Sequence, residues 1–266
     1  MKRLFAFDVD GTLLNSKSQL LPSTKKAVDE RLKVGDILCI ASGRPYTGIL
    51  QYLNHFVPGE KYAIAANGAA VYTEKGSLLA CRGISPKVFL DFYHRHLAQG
   101  DLGKDIYCYT ADSLGFFEET PFTDWEVKMN LFPKRNLLDD PLKEGDVVLK
   151  IMVVAEPELL DAWQAKPQEE ESYLRAVRTN PRFLEFVDPR VSKGDALASL
   201  SERLGIPAER VFSFGDEHND VEMIARFQGV AMGNSIPECK EAAHFVTRSN
   251  DEDGIAFAIQ EFCLKD

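Results

Sequence analysis

The chain has 266 residues, 45% of them apolar and 27% charged, which suits one large folded domain or two modest ones and excludes a peptide, a long repeat array or a disordered tract. The 41 Asp and Glu outnumber the 31 Lys and Arg for a formal charge of -10, which argues against a nucleic-acid partner gripped by general phosphate neutralisation and leaves room only for a local cationic pocket. Five scattered cysteines (Cys39, Cys81, Cys108, Cys239, Cys263) form no C-x-x-C or His-rich pairing, so neither a disulfide framework nor a zinc site is favoured.

The N-terminus, Met1 to Asp8, opens like a signal peptide, but Asp8 and Asp10 break its apolar run before an h-region is complete. No run approaches the ~20 apolar residues that span a bilayer. A cytoplasmic protein with reduced, mostly buried thiols and no membrane partner is expected, and no feature of the sequence specifies an oligomeric state. Leu4 to Phe7 is an unbroken apolar run, the pattern of a parallel strand buried on both faces. Pro22-Ser23-Thr24 opens a helix carrying Ala27, Val28, Leu32 and Val34 that Gly35 stops. Ile37 to Ala41 is the next buried strand, followed by Ser42-Gly43-Arg44-Pro45, and Tyr62 to Ala66 another, ending at Asn67-Gly68.

The middle of the chain changes style. Tyr107 to Tyr109, Leu114 to Phe117 and Val147 to Val154 read as strands among long polar stretches and two or three helix candidates, and the charged stretch from Ala165 to Glu171 reads as a solvated surface loop or helix end. The alternation then resumes: a helix from Lys193 to Leu204 closed by Gly205, a strand from Val211 to Phe214 ending in Gly215-Asp216, a helix from Asn219 to Phe227, and short strands at Val230 to Met232 and Phe245 to Thr247. The fold class is therefore α/β. Residues 1–82 and 187–266 form a discontinuous, doubly wound, mostly parallel Rossmann-like core, and residues 83–186 an inserted α+β unit.

In open α/β sheets ligands bind beyond the carboxyl ends of the strands. Here those ends deliver Asp8-Val9-Asp10-Gly11-Thr12, Ser42-Gly43-Arg44, Asn67-Gly68 and Gly215-Asp216-Glu217-His218-Asn219-Asp220. Carboxylates gathered on one rim repel each other and rise in pKa unless a cation neutralises them. Mg²⁺, which takes oxygen ligands and is commonly held by one or two carboxylates plus a substrate phosphate, fits Asp8 and Asp216. Glycines beside the acids allow close backbone approach to phosphate oxygens.

Taken singly, each residue has a plain structural use: Ser42 as a cap for the helix after Pro45, Lys193 as a surface lysine, Asn219 and Asp220 as helix-start residues. Together, Asp8-Val9-Asp10-Gly11-Thr12, Ser42-Gly43-Arg44, Ser192-Lys193-Gly194 and Gly215-Asp216 through Asp220, with Asn67-Gly68-Ala69, resemble in order the motifs of the haloacid dehalogenase-like hydrolase superfamily. Within it they resemble the Cof-type sugar-phosphate phosphatases with a type IIB cap, the inserted unit matching that cap. The resemblance implies a Mg²⁺-dependent phosphatase acting on a small phosphorylated metabolite through an aspartyl-phosphate, in a cleft between core and cap. It implies Asp8 as nucleophile and Asp10 as general acid and then base. It further implies Mg²⁺ on the Asp8 and Asp216 side chains and the Asp10 carbonyl, and phosphate contacts from Val9, Ser42, Gly43, Lys193 and Asn219. Asp220 would orient a metal-bound water.

A phosphomutase shares this core, and a non-catalytic binder of phosphorylated metabolites is a further alternative that the intact Asp8, Asp10, Lys193 and Asp216 disfavour. Arg44 reads either as a substrate contact or as half of an ion pair, and His218 as a solvent or substrate contact or, the reading preferred, as an inert loop histidine. His94 and His96, two apart on a helix, fall on different faces. Phe116, Phe117, Phe122 and Trp125 either line a pocket or form the insert's own core. Arg190 stands where many relatives carry glycine and forbids an easy positive φ.

Overall fold

The computed structural model describes residues 2–103, 105–165 and 173–264; most of the expected charged stretch from Ala165 to Glu171 therefore lies outside the described residues. The chain divides into two compact units. One comprises Met1–Arg44, Ile49–Leu79 and Ser192–Asp266, the other Pro45–Gly48 and Ala80–Val191.

The first unit begins with β1 (Leu4–Phe7), α1 (Pro22–Lys33), β2 (Ile37–Ala41), α2 (Tyr46–Leu53), β3 (Lys61–Ala65), β4 (Ala70–Thr73) and β5 (Leu78–Cys81). The second contains α3 (Pro86–Gln99), β6 (Asp105–Thr110), β7 (Leu114–Phe116), α4 (Pro121–Asn130), β8 (Lys134–Asn136), β9 (Val148–Val154), α5 (Pro157–Gln164), β10 (Arg175–Asn180) and β11 (Phe183–Val187). The chain returns to the first unit with α6 (Lys193–Leu204), β12 (Val211–Gly215), α7 (Val221–Arg226), β13 (Gln228–Ala231), α8 (Pro237–Ala242), β14 (Phe245–Val246) and α9 (Gly254–Ala258).

The eight-stranded sheet runs β14-β13-β12-β1-β2-β3-β4-β5. Every pairing from β14 to β3 is parallel, and β4 turns back antiparallel on β3. β1 sits at the centre, with Leu4 opposite Val211 on one side and Ile37 on the other. Its two faces explain its unbroken apolar run. Leu4 and Ala6 join Ile37, Cys39 and Ile64 against Leu197 and Leu200 of α6, while Phe5 stacks on Phe212 and Phe7 packs tilted against Phe214 at ring separations of 5.3 and 4.7 Å. A strand covered on both faces has no polar alternation to show.

Helix ends follow local chemistry. Pro22 and Pro86 begin α1 and α3 where no amide donor is required. Ser192 caps α6 by accepting from the Asp195 amide at 3.0 Å, and Gly205 ends it at φ 67. The helix expected from Asn219 is instead a short 3₁₀ turn, His218–Asp220, leading into α7, because Asp220 turns its side chain back onto the preceding backbone.

The six-stranded sheet of the second unit runs β10-β11-β9-β6-β7-β8 and is antiparallel except for β7 and β8. One face presents Ile106, Cys108, Ile151, Val153, Leu184 and Phe186 to Phe89, Phe92, Leu160 and Trp163. Several of the alternate residues are polar yet buried. Lys150 pairs with Glu185 at 3.1 Å and lies 4.4 Å from the Tyr109 ring centre, and the Tyr109 hydroxyl donates to Glu126 of α4 at 2.6 Å. Burial is tolerable because each is partnered. Phe116 is buried, and Phe117 packs half-buried against the core, 4.3 Å from Tyr93. Phe122 and Trp125 instead flank Phe183, with Trp125 46% exposed. His96 is buried against Phe92 with Nδ1 2.9 Å from Asp101, whereas His94 is exposed, so the two do divide between faces. Four of the five cysteines are buried and none is bridged. Among the described residues no helix is long and apolar enough to cross a membrane.

Both tryptophans of the chain lie in the second unit, so their fluorescence reports its unfolding. The Phe186 ring is fully buried between Phe92 and Trp163. Phe186→Ala is expected to cost about 3–5 kcal/mol in urea unfolding, the usual price of a large core cavity, against less than about 1 kcal/mol for Trp125→Ala at the surface.

Candidate active site

Three chain segments meet at the carboxyl end of the central strands. β1 stops at Phe7 and releases Asp8, β12 stops at Gly215 and releases Asp216, and α6 begins at Lys193. The Lys193 ammonium is buried and donates to Asp8 Oδ1 at 2.6 Å and to Asp220 Oδ1 at 2.7 Å. Asp220 Oδ2 accepts the backbone amides of Asp216 at 3.0 Å and Glu217 at 3.2 Å. Asp220 is thus fully engaged in the protein, fixing both the lysine and the turn that carries Asp216. A Cβ on Gly215 would collide with Asp220, so the turn admits only glycine there.

Asp216 is set by the first loop. Thr12 Oγ1 donates to its Oδ1 at 2.6 Å, and Gly11, at φ +84, lies where any Cβ would strike the Asp216 carboxylate. The Gly11 carbonyl accepts from Asn234 Nδ2 at 2.9 Å, and Asn250 ties down the Leu14 carbonyl at 2.8 Å. Thr12 and Asn234 carry no role in the reading of the sequence. Thr12 was visible as part of its motif, and only the folded geometry shows it gripping a carboxylate some 200 residues away.

Electrostatics follow from this crowding. Burial, only partly offset by Lys193 and aggravated by Asp220, pushes the Asp8 carboxyl up to about 8. Burial also raises Asp216 to about 6, against the opposing hydrogen bond from Thr12 and with further upward pressure from Asp220. Lys193 is held above its ordinary value: burial alone would lower it, but Asp220 and Asp8 outweigh burial. The ligand oxygens of Asp8, Asp216 and Asp220 all lie within 4.8 Å of one another. Three carboxylates against one ammonium leave two negative charges uncompensated. An all-oxygen donor set with that charge suits a hard divalent cation, which would hold Asp8 and Asp216 ionised.

A second group stands beside this knot. Ser42 is buried, its carbonyl accepts the Asn67 amide at 3.0 Å, and its Oγ accepts the Arg44 amide at 3.3 Å. Ala66 and Asn67 take consecutive left-handed conformations, φ 49 and 59, unusual for residues with side chains. That bend lets Asn67 Oδ1 accept from Asn219 Nδ2 at 2.9 Å and packs it against Gly43. Gly68, at φ +106, passes so close to the Ser192 carbonyl that a side chain would clash. Asn67 therefore links the segments of Ser42 and Asn219, a role signalled in the sequence only by its place at a strand end. Val9 is fully buried and its carbonyl accepts the Leu14 amide.

Asp10 stands apart. The alternation of an extended strand would set it beside Asp8, but β1 has already ended, and the Asp10 side chain is 59% exposed. Its carboxylate lies in the fork of Arg44, Nε to Oδ2 at 3.0 Å and Nη2 to Oδ1 at 2.9 Å. Burial alone would lower the Arg44 pKa; Asp10 outweighs burial and holds it raised. His218 is exposed in its 3₁₀ turn. Arg190 has no positive φ and folds onto Asp188, Nε to Oδ1 at 2.9 Å and Nη2 to Oδ2 at 2.7 Å.

The family model described as haloacid dehalogenase-like hydrolase matches residues 5–259. The Bacillus subtilis protein named "Putative phosphatase YxeH" is 31% identical, covering 99% of both chains. The Bacillus subtilis 5-amino-6-(5-phospho-D-ribitylamino)uracil phosphatase YwtE is 26% identical over 97% of each. Among solved structures, a haloacid dehalogenase-like hydrolase from Bacteroides thetaiotaomicron superposes with a TM-score of 0.86 at 27% identity, covering 98% of this chain and 99% of that one. The subclass IIB sugar phosphatase BT4131 shares the fold at a TM-score of 0.75 and 22% identity, covering 98% and 99%.

The raised carboxyls fix the sign of a pH effect. In the unfolded chain Asp8 and Asp216 ionise near 3.8, whereas the folded, metal-free protein keeps its protons until about 8 and about 6. The native state binds more protons across that window, so its stability is greatest below it and is lost as pH rises through the folded values. Thermal melts in chelator are expected to show this decline between about pH 4 and 8, and Asp8→Asn to flatten it. A wild-type slope equal to that of the variant would contradict the assignment.

Proposed function

Because the chain belongs to the haloacid dehalogenase-like hydrolase family, we propose that it is a Mg²⁺-dependent phosphatase that hydrolyses a small phosphorylated metabolite, a sugar phosphate, through an aspartyl-phosphate on Asp8. The observation that carries this reading is the buried Lys193 ammonium clamped between Asp8 and Asp220, with Asp216 alongside. Replacing a buried ion pair by apolar residues is often neutral or stabilising, so a buried cluster of this kind points to chemistry more than to stability.

Lys193 holds Asp8 Oδ1, which aims the carboxylate and leaves Oδ2 for attack on phosphorus. The ester bond breaks, and Asp10 gives its proton to the departing alcohol. Asp10 then takes a proton from the water that hydrolyses the aspartyl-phosphate, restoring Asp8. Splitting one difficult displacement into two is what a carboxylate nucleophile contributes. Ser42, the Val9 and Gly43 amides, Lys193 and Asn219 bind the phosphoryl oxygens, donors fixed before the substrate arrives. The Asp8 and Asp216 side chains and the Asp10 carbonyl are the groups that would hold Mg²⁺, which when bound neutralises charge on the phosphoryl oxygens. Asp220 acts on this site through its hold on Lys193 and on the Asp216 turn.

Residues 83–186 are proposed as the cap that selects the substrate. Support for a phosphorylated sugar or polyol comes from a relative: YwtE is named for a phosphoribityl substrate.

Phosphate release from p-nitrophenyl phosphate and from a panel of sugar phosphates, assayed with Mg²⁺, is expected for the wild type. Asp8→Asn should reduce it by on the order of 10³-fold or more. Undiminished release from the variant would remove Asp8 as nucleophile, and formation of an isomerised sugar phosphate without free phosphate would replace hydrolysis by phosphoryl transfer between hydroxyls.

A further inference from the structure

Arg44 is held by every part it offers. Its amide donates to Ser42 Oγ at 3.3 Å and its carbonyl accepts the Ala66 amide at 3.0 Å. Its guanidinium carbon lies 5.6 Å from the centre of the Tyr52 ring, and its two nitrogens meet the two oxygens of Asp10 at 3.0 and 2.9 Å. A bidentate fork fixes the plane of a carboxylate as well as its position, which a lysine in the same place does not do. Asp10 sits on a loop rather than on β1, with its side chain more than half exposed. The fork of Arg44 is what fixes the orientation of its carboxyl group.

We propose that Arg44 is the positioning residue for Asp10, aiming the carboxyl group that protonates the leaving alcohol and stabilising the carboxylate left behind. The inference rests on the phosphatase reading above. The fork occupies one lone pair on each Asp10 oxygen, and each oxygen has a second, so a proton has a place outside the fork. As Asp8 bonds to phosphorus, the ester P–O bond breaks with both electrons going to the leaving oxygen, which takes the proton from Asp10. The negative charge that develops on Asp10 faces a guanidinium already in place, an interaction stronger in the transition state than before it and therefore one that accelerates the step. The cation–π contact with Tyr52 and the two backbone bonds keep the fork from following Asp10 or turning to solvent.

A leaving group that needs no proton separates this role from others. Values of kcat/KM are compared for glucose 6-phosphate, whose alkoxide must be protonated, and for p-nitrophenyl phosphate, whose phenolate departs readily. Arg44→Ala is expected to lower the former by on the order of 10²-fold, the scale of general-acid catalysis, and the latter by less than about threefold, with no rise in KM for p-nitrophenyl phosphate and a melting temperature near wild type. Arg44→Lys, which keeps the charge and loses the fork, should show the same selectivity in weaker form. Asp10→Asn should share the leaving-group dependence, and adding Arg44→Ala to it should cost little more, the non-additivity of two residues acting as one. Equal losses on both esters with a raised KM would make Arg44 a substrate contact and overturn the proposal, as would equal losses with a lowered melting temperature. Absence of phosphate release from either ester in the wild type would instead overturn the phosphatase reading itself.

Discussion

The Lys193 ammonium, buried and bonded to Asp8 and Asp220, is the interaction on which the architecture of the first unit turns. An ammonium out of water is tolerable only with carboxylates in hydrogen-bonding reach. Those carboxylates come from the end of β1 and from the turn after β12, so the strands must be neighbours and α6 must begin at the same rim. The parallel pairing of β1 with β12, Leu4 to Val211 through Phe7 to Phe214, and the packing of Leu197 and Leu200 of α6 onto the sheet supply that arrangement. The glycines fall into place as consequences: Gly11, Gly68 and Gly215 each stand where a side chain would strike the carboxylates or the start of α6.

Around the lysine, two aspartates only two residues apart meet different fates. Asp8 is buried and pushed up to about 8, while Asp10 lies outside the knot in the grip of Arg44. The division arises where β1 ends. A strand one turn of pleat longer would have set both carboxylates on one side and made them competitors for the same cation. The loop instead carries Asp10 toward β2, whose following residues provide the guanidinium. Unequal environments for like groups are how one site obtains distinct chemical roles from the same residue type.

Most of the first unit was legible because its strands are buried on both faces and so read as continuous apolar runs; β1, β2 and α6 begin where the pattern says, and their ends carry the residues singled out. Legibility failed where the signal is shared or absent. β4, β5, β10 and β11 lie among turns and mixed residues, and β11 also buries Glu185, a group that composition assigns to the surface. The acidic motifs were visible as motifs, but the partner of each residue was not. That Thr12 grips Asp216, that Asp220 is wholly occupied by Lys193 and a turn, and that Asn67 joins Asn219 are facts of tertiary geometry with sequence separations that no local pattern encodes.

The central place of β1 has a consequence for the order in which the molecule is made. During synthesis β1 can pair with β2 within some forty residues, but its other edge, and the aromatic face of Phe5 and Phe7, must wait for Phe212 and Phe214. The whole of the second unit emerges in between, and its sheet is assembled from strands that are all contained between Asp105 and Val187. On the ribosome the later-numbered unit is therefore complete while the earlier one still presents an open, apolar strand edge, the feature of nascent chains that invites mispairing. Closure of that edge and arrival of Asp216 and Asp220 at the rim are one event, so the central strand is covered and the reactive centre assembled together, before β13 and β14 extend the sheet.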